Sequence, residues 1–276
     1  MKPPTAYLEI NIGKGARTSK IILALVELSS LKPHEEINLT AAKIIAKSIE
    51  TTGFQKNPVI ADAESGVILD GMHRWNALKM LKARYIAACL VNYYDERIKL
   101  GRWARHYPRA SALPAWLRGW IGPPEDPRKV LEKGDAFIYY KGAARRLRLP
   151  KNRVRALKRL KKLEARLKRT YGQIVYTEDE LRDDGLMLFP PKLSKKEVVE
   201  LASKGVLLPP KSTRHEIPWR PLHVNVPLNL LKYGGEPHVA YEALAALVSR
   251  KNVFEALHGF TLDREYREGV LIFLGT

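Results

Sequence analysis

Hydrophobic and polar positions along the first hundred residues fall into short blocks, each closed by a residue that stops it. Residues 6–11 read as a strand. The apolar run Ile21-Ile22-Leu23-Ala24-Leu25-Val26 is closed by Glu27, far short of the roughly 18 residues of a membrane span. Pro33 sets a turn in Leu31-Lys32-Pro33-His34-Glu35-Glu36. Asn38 or Thr40 caps a helix predicted over 41–52, with Ile44, Ile45 and Ile49 on one face and Gly53 as its stop. Pro58-Val59-Ile60-Ala61, Val67-Ile68-Leu69 and 87–91 read as strands, with a helix at 73–82 between the last two. Strands and helices alternate at short spacing, which predicts one compact α/β domain over residues 1–100.

The pattern then changes. Residues 101–135 carry Trp103, Pro108, Pro114, Trp116, Trp120, Pro123, Pro124 and Pro127, and read as loop and turn with one short helix near 127–133. A strand is expected at 137–140. Leu157, Leu160, Leu163 and Leu167 recur at helical spacing between Asn152 and Arg169. Further strands are expected at 174–176 and 186–189. Ser194-Lys195-Lys196-Glu197 has capping-box spacing and opens a helix to about 203. Beyond 233 the chain reads as a helical appendix (240–248 and 252–258) with a last strand at 270–273. The whole predicts an α/β (α+β) protein with a first domain at 1–100, a second mixed α/β domain at 101–232 and a C-terminal extension at 233–276.

Composition narrows the function. There is one cysteine, Cys89, in an apolar run, so neither a disulfide framework nor a cysteine metal site is available. With no secretory pattern at the N-terminus, a cytoplasmic location is expected. Gln occurs only at 55 and 173 while Arg, Lys and Glu are plentiful, a thermophile-like balance. The chain carries 48 basic and 29 acidic residues, a net charge of +19. The excess is local: residues 141–170 hold 14 Lys and Arg against the single acid Glu164, leaving only +6 for the rest.

Three clusters carry candidate chemistry. In Leu69-Asp70-Gly71-Met72-His73-Arg74-Trp75, a carboxylate, an imidazole and a guanidinium surround a glycine between an apolar strand and a helix. Such a turn aims backbone N–H groups and basic side chains at an anion. Lys211-Ser212-Thr213-Arg214-His215 places two cations, two hydroxyls and an imidazole in succession, a run able to wrap phosphate oxygens. Glu35, beside a turn, is available as a base. No P-loop, kinase glycine loop or His/Cys zinc spacing is present. His106, His223, His238 and His258 are isolated and read as surface or satisfied core histidines.

An apolar strand followed by Asp70-Gly71-x-His73-Arg74-Trp75 resembles the signature of the ParB/sulfiredoxin-like superfamily. Within it the chain most resembles the archaeal free L-serine kinases, which make O-phosphoserine from serine and a nucleotide. Leu31 to Glu35, Asp70 to Trp75, Tyr94-Asp95-Glu96 with Trp103 beyond it, and Lys211 to His215 with Pro218 follow in family order over roughly residues 18–230. The resemblance implies ATP or ADP as donor and Mg²⁺ as cofactor. It implies Glu35 as the group that takes the serine proton and Asp70 as the acid of the nucleotide and magnesium site. Gly71, His73 and Arg74 match the phosphate turn, and Ser48 and Trp103 the substrate side. Lys211, Ser212, Thr213, Arg214 and His215 match a segment that folds over phosphates and serine, closing the site between two domains. Met72 departs from a histidine common at that position.

Two alternatives stand beside it. The basic segment at 151–169 keeps open a ParB-like, nucleotide-dependent nucleic-acid-binding protein, although no helix-turn-helix follows Asp70 to Arg74. A sulfiredoxin-type reductase needs a catalytic cysteine, and Cys89 is not beside the phosphate motif. Neither serine against another small hydroxyl substrate, nor monomer against dimer, is decided by the sequence.

Overall fold

A computed structural model describes residues 7–12, 19–177, 181–256, 259–262, 265–266 and 268–275. The chain divides into two compact units, one of residues 1–99, 199–206 and 215–276, the other of 100–198 and 207–214.

The first unit is built on a sheet of β1 (Leu8–Ile12), β2 (Ser19–Glu27), β3 (Val59–Asp62), β4 (Ile68–Asp70) and β5 (Tyr85–Val91), in the order β1-β2-β5-β3-β4. β5 is central because nearly every residue in it is apolar and buried, as a strand covered on both faces requires. It runs antiparallel to β2 and parallel to β3, with Cys89 opposite Leu23 on one side and Ile60 on the other. Burial of Cys89 pushes its thiol pKa up to about 12, so it serves as a small core hydrophobe. α1 (Leu39–Thr52) starts where Asn38 accepts a hydrogen bond from the Ala41 amide and stops at Gly53, whose φ of 77° is left-handed. Its inner face is Ala42, Ala46 and Ile49. Ile44, expected on that face, is 66% exposed, because the small alanines let the helix lie close on a different side. α2 (Met72–Met80) follows β4 directly.

The second unit centres on an antiparallel sheet of β6 (Trp103–Tyr107), β7 (Phe137–Tyr140), β8 (Ala143–Arg146), β9 (Ile174–Thr177) and β10 (Leu186–Phe189), ordered β8-β7-β10-β6-β9. The expectation of loop through 101–135 is corrected at β6. Ala104, Arg105 and His106 are buried there, with Arg102 buried just before it, so the polar letters hide a core strand. α3 (Pro127–Lys133) is the expected short helix, capped by Asp126. α4 (Arg153–Tyr171) buries Leu157, Leu160, Leu163 and Leu167. The last three join Tyr107, Ile138, Leu186 and Leu188 in one core. The capping box holds at α5 (Lys195–Ser203): the Ser194 amide donates to Glu197 Oε2 at 2.8 Å, and the Glu197 amide to Ser194 Oγ at 3.2 Å.

Beyond residue 215 the chain is part of the first unit, where the sequence had suggested 215–232 with the second domain and an appendix after 233. β11 (Trp219–Leu222) pairs in parallel with β13 (Gly269–Leu274), and β12 (Asn252–Ala256) pairs antiparallel with β13. The helix expected at 252–258 is therefore a strand over its described part. Val253 and Phe254 favour strand geometry, and the pairing with β13 decides it. α6 (Leu228–Tyr233) and α7 (Pro237–Ser249) lie between β11 and β12. Among the described residues no helix is long and apolar enough to cross a membrane.

Candidate functional site

The geometry of the Asp70 turn starts with Gly71. Its φ is 94°, and a Cβ there would lie 2.7 Å from Arg74 Nη2 and 2.8 Å from Val59 Cγ1. Only glycine lets the chain leave β4 and enter α2 at once. Arg74 folds back over this glycine. Its Nη2 donates to Asp70 Oδ2 at 3.1 Å and to the Pro58 carbonyl at 3.3 Å, while its Nε is buried with no hydrogen-bond partner. Trp75 fixes the helix by donating its indole N–H to the Leu28 carbonyl at 3.0 Å. The amides of the first turn of α2 point outward at this corner, with the positive end of the helix dipole.

Asp70 has a second guanidinium. Arg220 of β11 donates through Nη1 to Asp70 Oδ2 at 2.8 Å, and through Nε to Glu268. Burial opposes the Arg220 charge, but the carboxylates of Asp70 and Glu268 outweigh it and raise its pKa. The sequence offered no local sign of either Arg220 or Glu268: both lie about 150 residues or more from the turn, and neither stands in a recognisable motif.

Two buried histidines hang on the strand that delivers the motif. His34 Nδ1 lies 2.8 Å from the Ile68 carbonyl. A carbonyl only accepts, so Nδ1 carries the proton and Nε2 faces Glu35 Oε1, 3.8 Å away. Burial lowers the His34 pKa, against the opposite pull of Glu35 and the carbonyl. His215 bonds the Leu69 main chain and lies 2.7 Å from the Tyr93 hydroxyl through Nε2. Burial pushes its pKa well down, with the nearby His34 adding to the effect. The two rings meet edge to face, 5.4 Å between centroids. Glu35 itself is 6% exposed.

Two clefts share Arg74 and Asn57. One, of about 160 Å³, is lined by Asp70, Arg220, Pro58 and Tyr266. The other, of about 270 Å³, is lined by Ile45, Ser48, Thr52 and Phe54. In the first unit Asp70, Gly71 and Arg74 therefore share one corner, Ser48 lines a cleft with Arg74, His215 and the Glu35 neighbour His34 bond to the strand that leads into the corner, and His73 lies in the first turn of α2. The structure also contributes His34, Tyr93, Arg220 and Glu268.

The second unit orders the other candidate residues around Trp103. Its indole N–H donates to the Thr213 carbonyl at 3.0 Å. Lys211 Nζ and the Arg214 guanidinium lie 5.1 and 5.7 Å from the ring centroid. Lys211 has a φ of 58°, an uncommon conformation for a non-glycine residue. Arg105 secures the loop by donating to the Lys211 carbonyl at 3.0 Å and the Pro210 carbonyl at 3.3 Å, with Glu164 of α4 holding its Nε at 2.9 Å. Ser212 is turned inward, its hydroxyl donating to the Pro209 carbonyl at 2.6 Å. Thr213 is buried beside it.

Of the isolated histidines that are described, His238 lies on the surface as expected, while buried His106 is satisfied at Nε2 by the Asp184 carbonyl at 2.9 Å and has no hydrogen-bond partner at Nδ1 among the described residues. The His223 amide donates to Asn57 Oδ1. His258 lies outside the described residues. Among the described residues no three His, Cys, Asp or Glu side chains are grouped to hold a metal ion. Asp70 faces two guanidiniums and is, among the described residues, the one carboxylate at this corner, so a magnesium ion there would be held mainly through the nucleotide's phosphates.

No family profile matches the chain. It is 29% identical to an "ATP-dependent L-serine kinase" of Staphylothermus marinus, over 75% of this chain and 90% of that protein. It is 24% identical to the "ADP-dependent L-serine kinase SerK" of Thermococcus kodakarensis, over 78% and 95% respectively. A "ParB-like protein" of Sulfolobus acidocaldarius is 28% identical, over 70% and 89%. Among solved structures, a free serine kinase in complex with AMP superposes with a TM-score of 0.61 at 21% identity, over 76% of this chain and 93% of that one. SbnI from Staphylococcus aureus with its C-terminus truncated reaches 0.66 at 19% identity, over 82% and 96%. The fold is the one these structures share.

Proposed function

We propose that the protein is a free L-serine kinase, transferring the terminal phosphoryl group of ATP or ADP to the serine hydroxyl to give O-phospho-L-serine. The observation that carries this reading is the corner at Asp70-Gly71. A cationic side chain with an unused buried donor folds over a glycine at a helix start, on the same strand that anchors the histidine beside Glu35. The relatives named as L-serine kinases support the substrate and the nucleotide.

The serine oxygen attacks the terminal phosphorus, the bond from phosphorus to the leaving nucleotide oxygen breaks, and the hydroxyl proton passes to Glu35. Glu35 orients the hydroxyl and accepts its proton, work usually worth 10²–10⁴-fold in rate. Gly71, His73, Arg74 and the first amides of α2 hold the phosphates. Lys211, Thr213, Arg214 and His215 are assigned phosphate and serine contacts on the resemblance of their segment, and Ser48 and Trp103 substrate-side roles. Ser212 acts through its loop, since its hydroxyl is engaged there. Phosphoryl transfer depends on position and charge neutralisation more than on covalent help. Asp70 fixes Arg74 for that task, and magnesium enters the assay as the nucleotide's own counter-ion.

The test is to incubate the protein with magnesium and either ATP or ADP, separately with L-serine, L-threonine and L-homoserine, and to follow the phosphorus NMR spectrum. Phosphoserine from the wild type, reduced by about 10²-fold or more in Glu35→Ala, is expected, and the productive nucleotide identifies the donor. Folded protein giving no phosphoserine with either nucleotide would overturn the proposal.

A further inference from the structure

The kinase reading leaves α4 unexplained. Nine of its nineteen residues are Lys or Arg. Its leucine face is buried in the core of the second unit, so the cations occupy what remains. Arg155, Arg159, Lys162, Arg166 and Arg169 follow one another at steps of four and three, and all five are exposed. That spacing puts them in a single row along the helix. At 1.5 Å per residue the row is about 21 Å long, the length of about six base pairs.

Two details make this row more than a solvated face. The only acid in the segment, Glu164, turns inward to Arg105, with its side chain 16% exposed, and so does not dilute the row. Two of the arginines are also fixed in place. The Arg159 guanidinium lies 4.6 Å from the Trp120 ring centroid and that of Arg166 lies 4.0 Å from Trp116. Both tryptophans pack partly buried against the same core. Stacked guanidiniums are pre-oriented and lose little freedom on meeting an anion. Exposed Arg118 lies between the two tryptophans in sequence, and exposed Arg148 adds to the basic composition of the unit.

We infer that the outer face of α4 binds the phosphate backbone of a nucleic acid, without reading its sequence. This goes beyond the kinase reading and does not rest on it. A straight row of mostly arginine matches regularly spaced phosphates, which guanidinium recognises well. A membrane surface is the poorer match. A helix that lies on lipid inserts its apolar face, and here that face is committed to the core.

The experiment measures fluorescence anisotropy of the full chain with a labelled 20-base-pair RNA duplex, the same DNA duplex and phosphatidylserine vesicles, between 50 and 300 mM KCl. Binding to duplex with a log–log salt slope of about −4.5, as expected for five phosphate contacts, is the predicted result. Arg159→Gln/Lys162→Gln/Arg166→Gln/Arg169→Gln, which leaves only Arg155 of the row, should bring the slope to about −1 and weaken binding more than tenfold. Arg155→Gln/Lys162→Gln/Arg169→Gln, which spares the two stacked arginines, should roughly halve the slope, and serves if the first variant does not fold. Removal of equal charge elsewhere, in Lys43→Gln/Lys47→Gln/Lys129→Gln/Lys133→Gln, should leave the binding within about twofold. Absence of duplex binding, equal losses in the control variant, or tighter binding to vesicles than to either duplex would each overturn the inference.

Discussion

Arg220 and Arg166 are both arginines held by a neighbour, but they are held for opposite ends. Arg220 is buried, clasped by Asp70 and Glu268, and its charge is spent on keeping a carboxylate in place. Arg166 stands exposed on α4 against the face of Trp116, in a row whose one local acid has turned inward. At Asp70 the fold neutralises Arg220 and uses it for position. Along α4 it accumulates cations of one sign and leaves them to solvent or a partner. The same residue type therefore serves as a structural strut in one unit and as surface charge in the other, and burial makes the difference.

The sharpest way to break the comparison is to remove both arginines in turn. Arg220→Met leaves Glu268 without its guanidinium in a mostly buried place and frees one side of Asp70. Losing one partner of a buried pair costs about 3–5 kcal/mol. Asp70 is half-exposed, so the lower end, about 3 kcal/mol, is expected in urea unfolding. Glu268→Gln in the same chain should recover part of that stability. The nucleotide affinity should stay impaired, because Asp70 still lacks its second guanidinium. Full recovery of both would show that Arg220 serves stability alone.

Next in size is Gly71→Ala. The added methyl meets Val59 and Arg74 closer than any van der Waals contact, at a φ that strains any other residue. About 1–3 kcal/mol of stability should be lost. Arg74 should be displaced, so nucleotide affinity should fall further than the stability change alone accounts for. Titration calorimetry at a temperature where the variant is folded checks this.

The buried histidines predict a pH response confined to the first unit. His34 and His215 both have folded pKa values below the ordinary 6.5. Below about pH 6.5 the unfolded chain takes up protons that the buried rings refuse. Stability is therefore full above that pH and falls as pH drops toward the folded values. Urea midpoints between pH 8 and pH 5 should decline, and His34→Asn should flatten the decline. An unchanged slope in that variant would assign the acid sensitivity to other groups.

How much of this could be read from the chain follows the same division between local and distant. The Asp70 turn was legible because its strand, glycine and helix start are consecutive, as were the α1 caps and the Ser194–Glu197 capping box. β6 was not. Trp103-Ala104-Arg105-His106-Tyr107 alternates no apolar face, and its polar side chains are buried only because Glu164, the 207–214 loop and Asp184 satisfy them. β12 was misjudged for a similar reason, since its strand state comes from β13. Arg220, Glu268 and Tyr93 entered the site through the same kind of long-range pairing. The basic row on α4 was visible as composition. The inward turn of Glu164 and the two stacked arginines needed the fold.

The smallest expected effect is also the one that separates the two kinds of arginine most cleanly. Arg166→Met keeps the stem that covers Trp116 and removes the charge. A cation–π contact at an exposed site is worth about 0.5–1 kcal/mol, so stability should change by no more than that. Relief of repulsion among the neighbouring cations of α4 works in the opposite direction. The net change is thus expected to be near zero at low salt, and to become a small loss in 0.5 M KCl, where screening removes the repulsion but leaves the ring contact. Arg220→Met should depend on salt only weakly, since Arg220 and Glu268 are shielded from the counter-ions and only the half-exposed Asp70 is open to screening. Urea midpoints of both variants at two salt concentrations would test this. If Arg166→Met lost as much stability as Arg220→Met at either salt, the α4 row would have to be read as part of the core's support and not as a surface held ready for an anion.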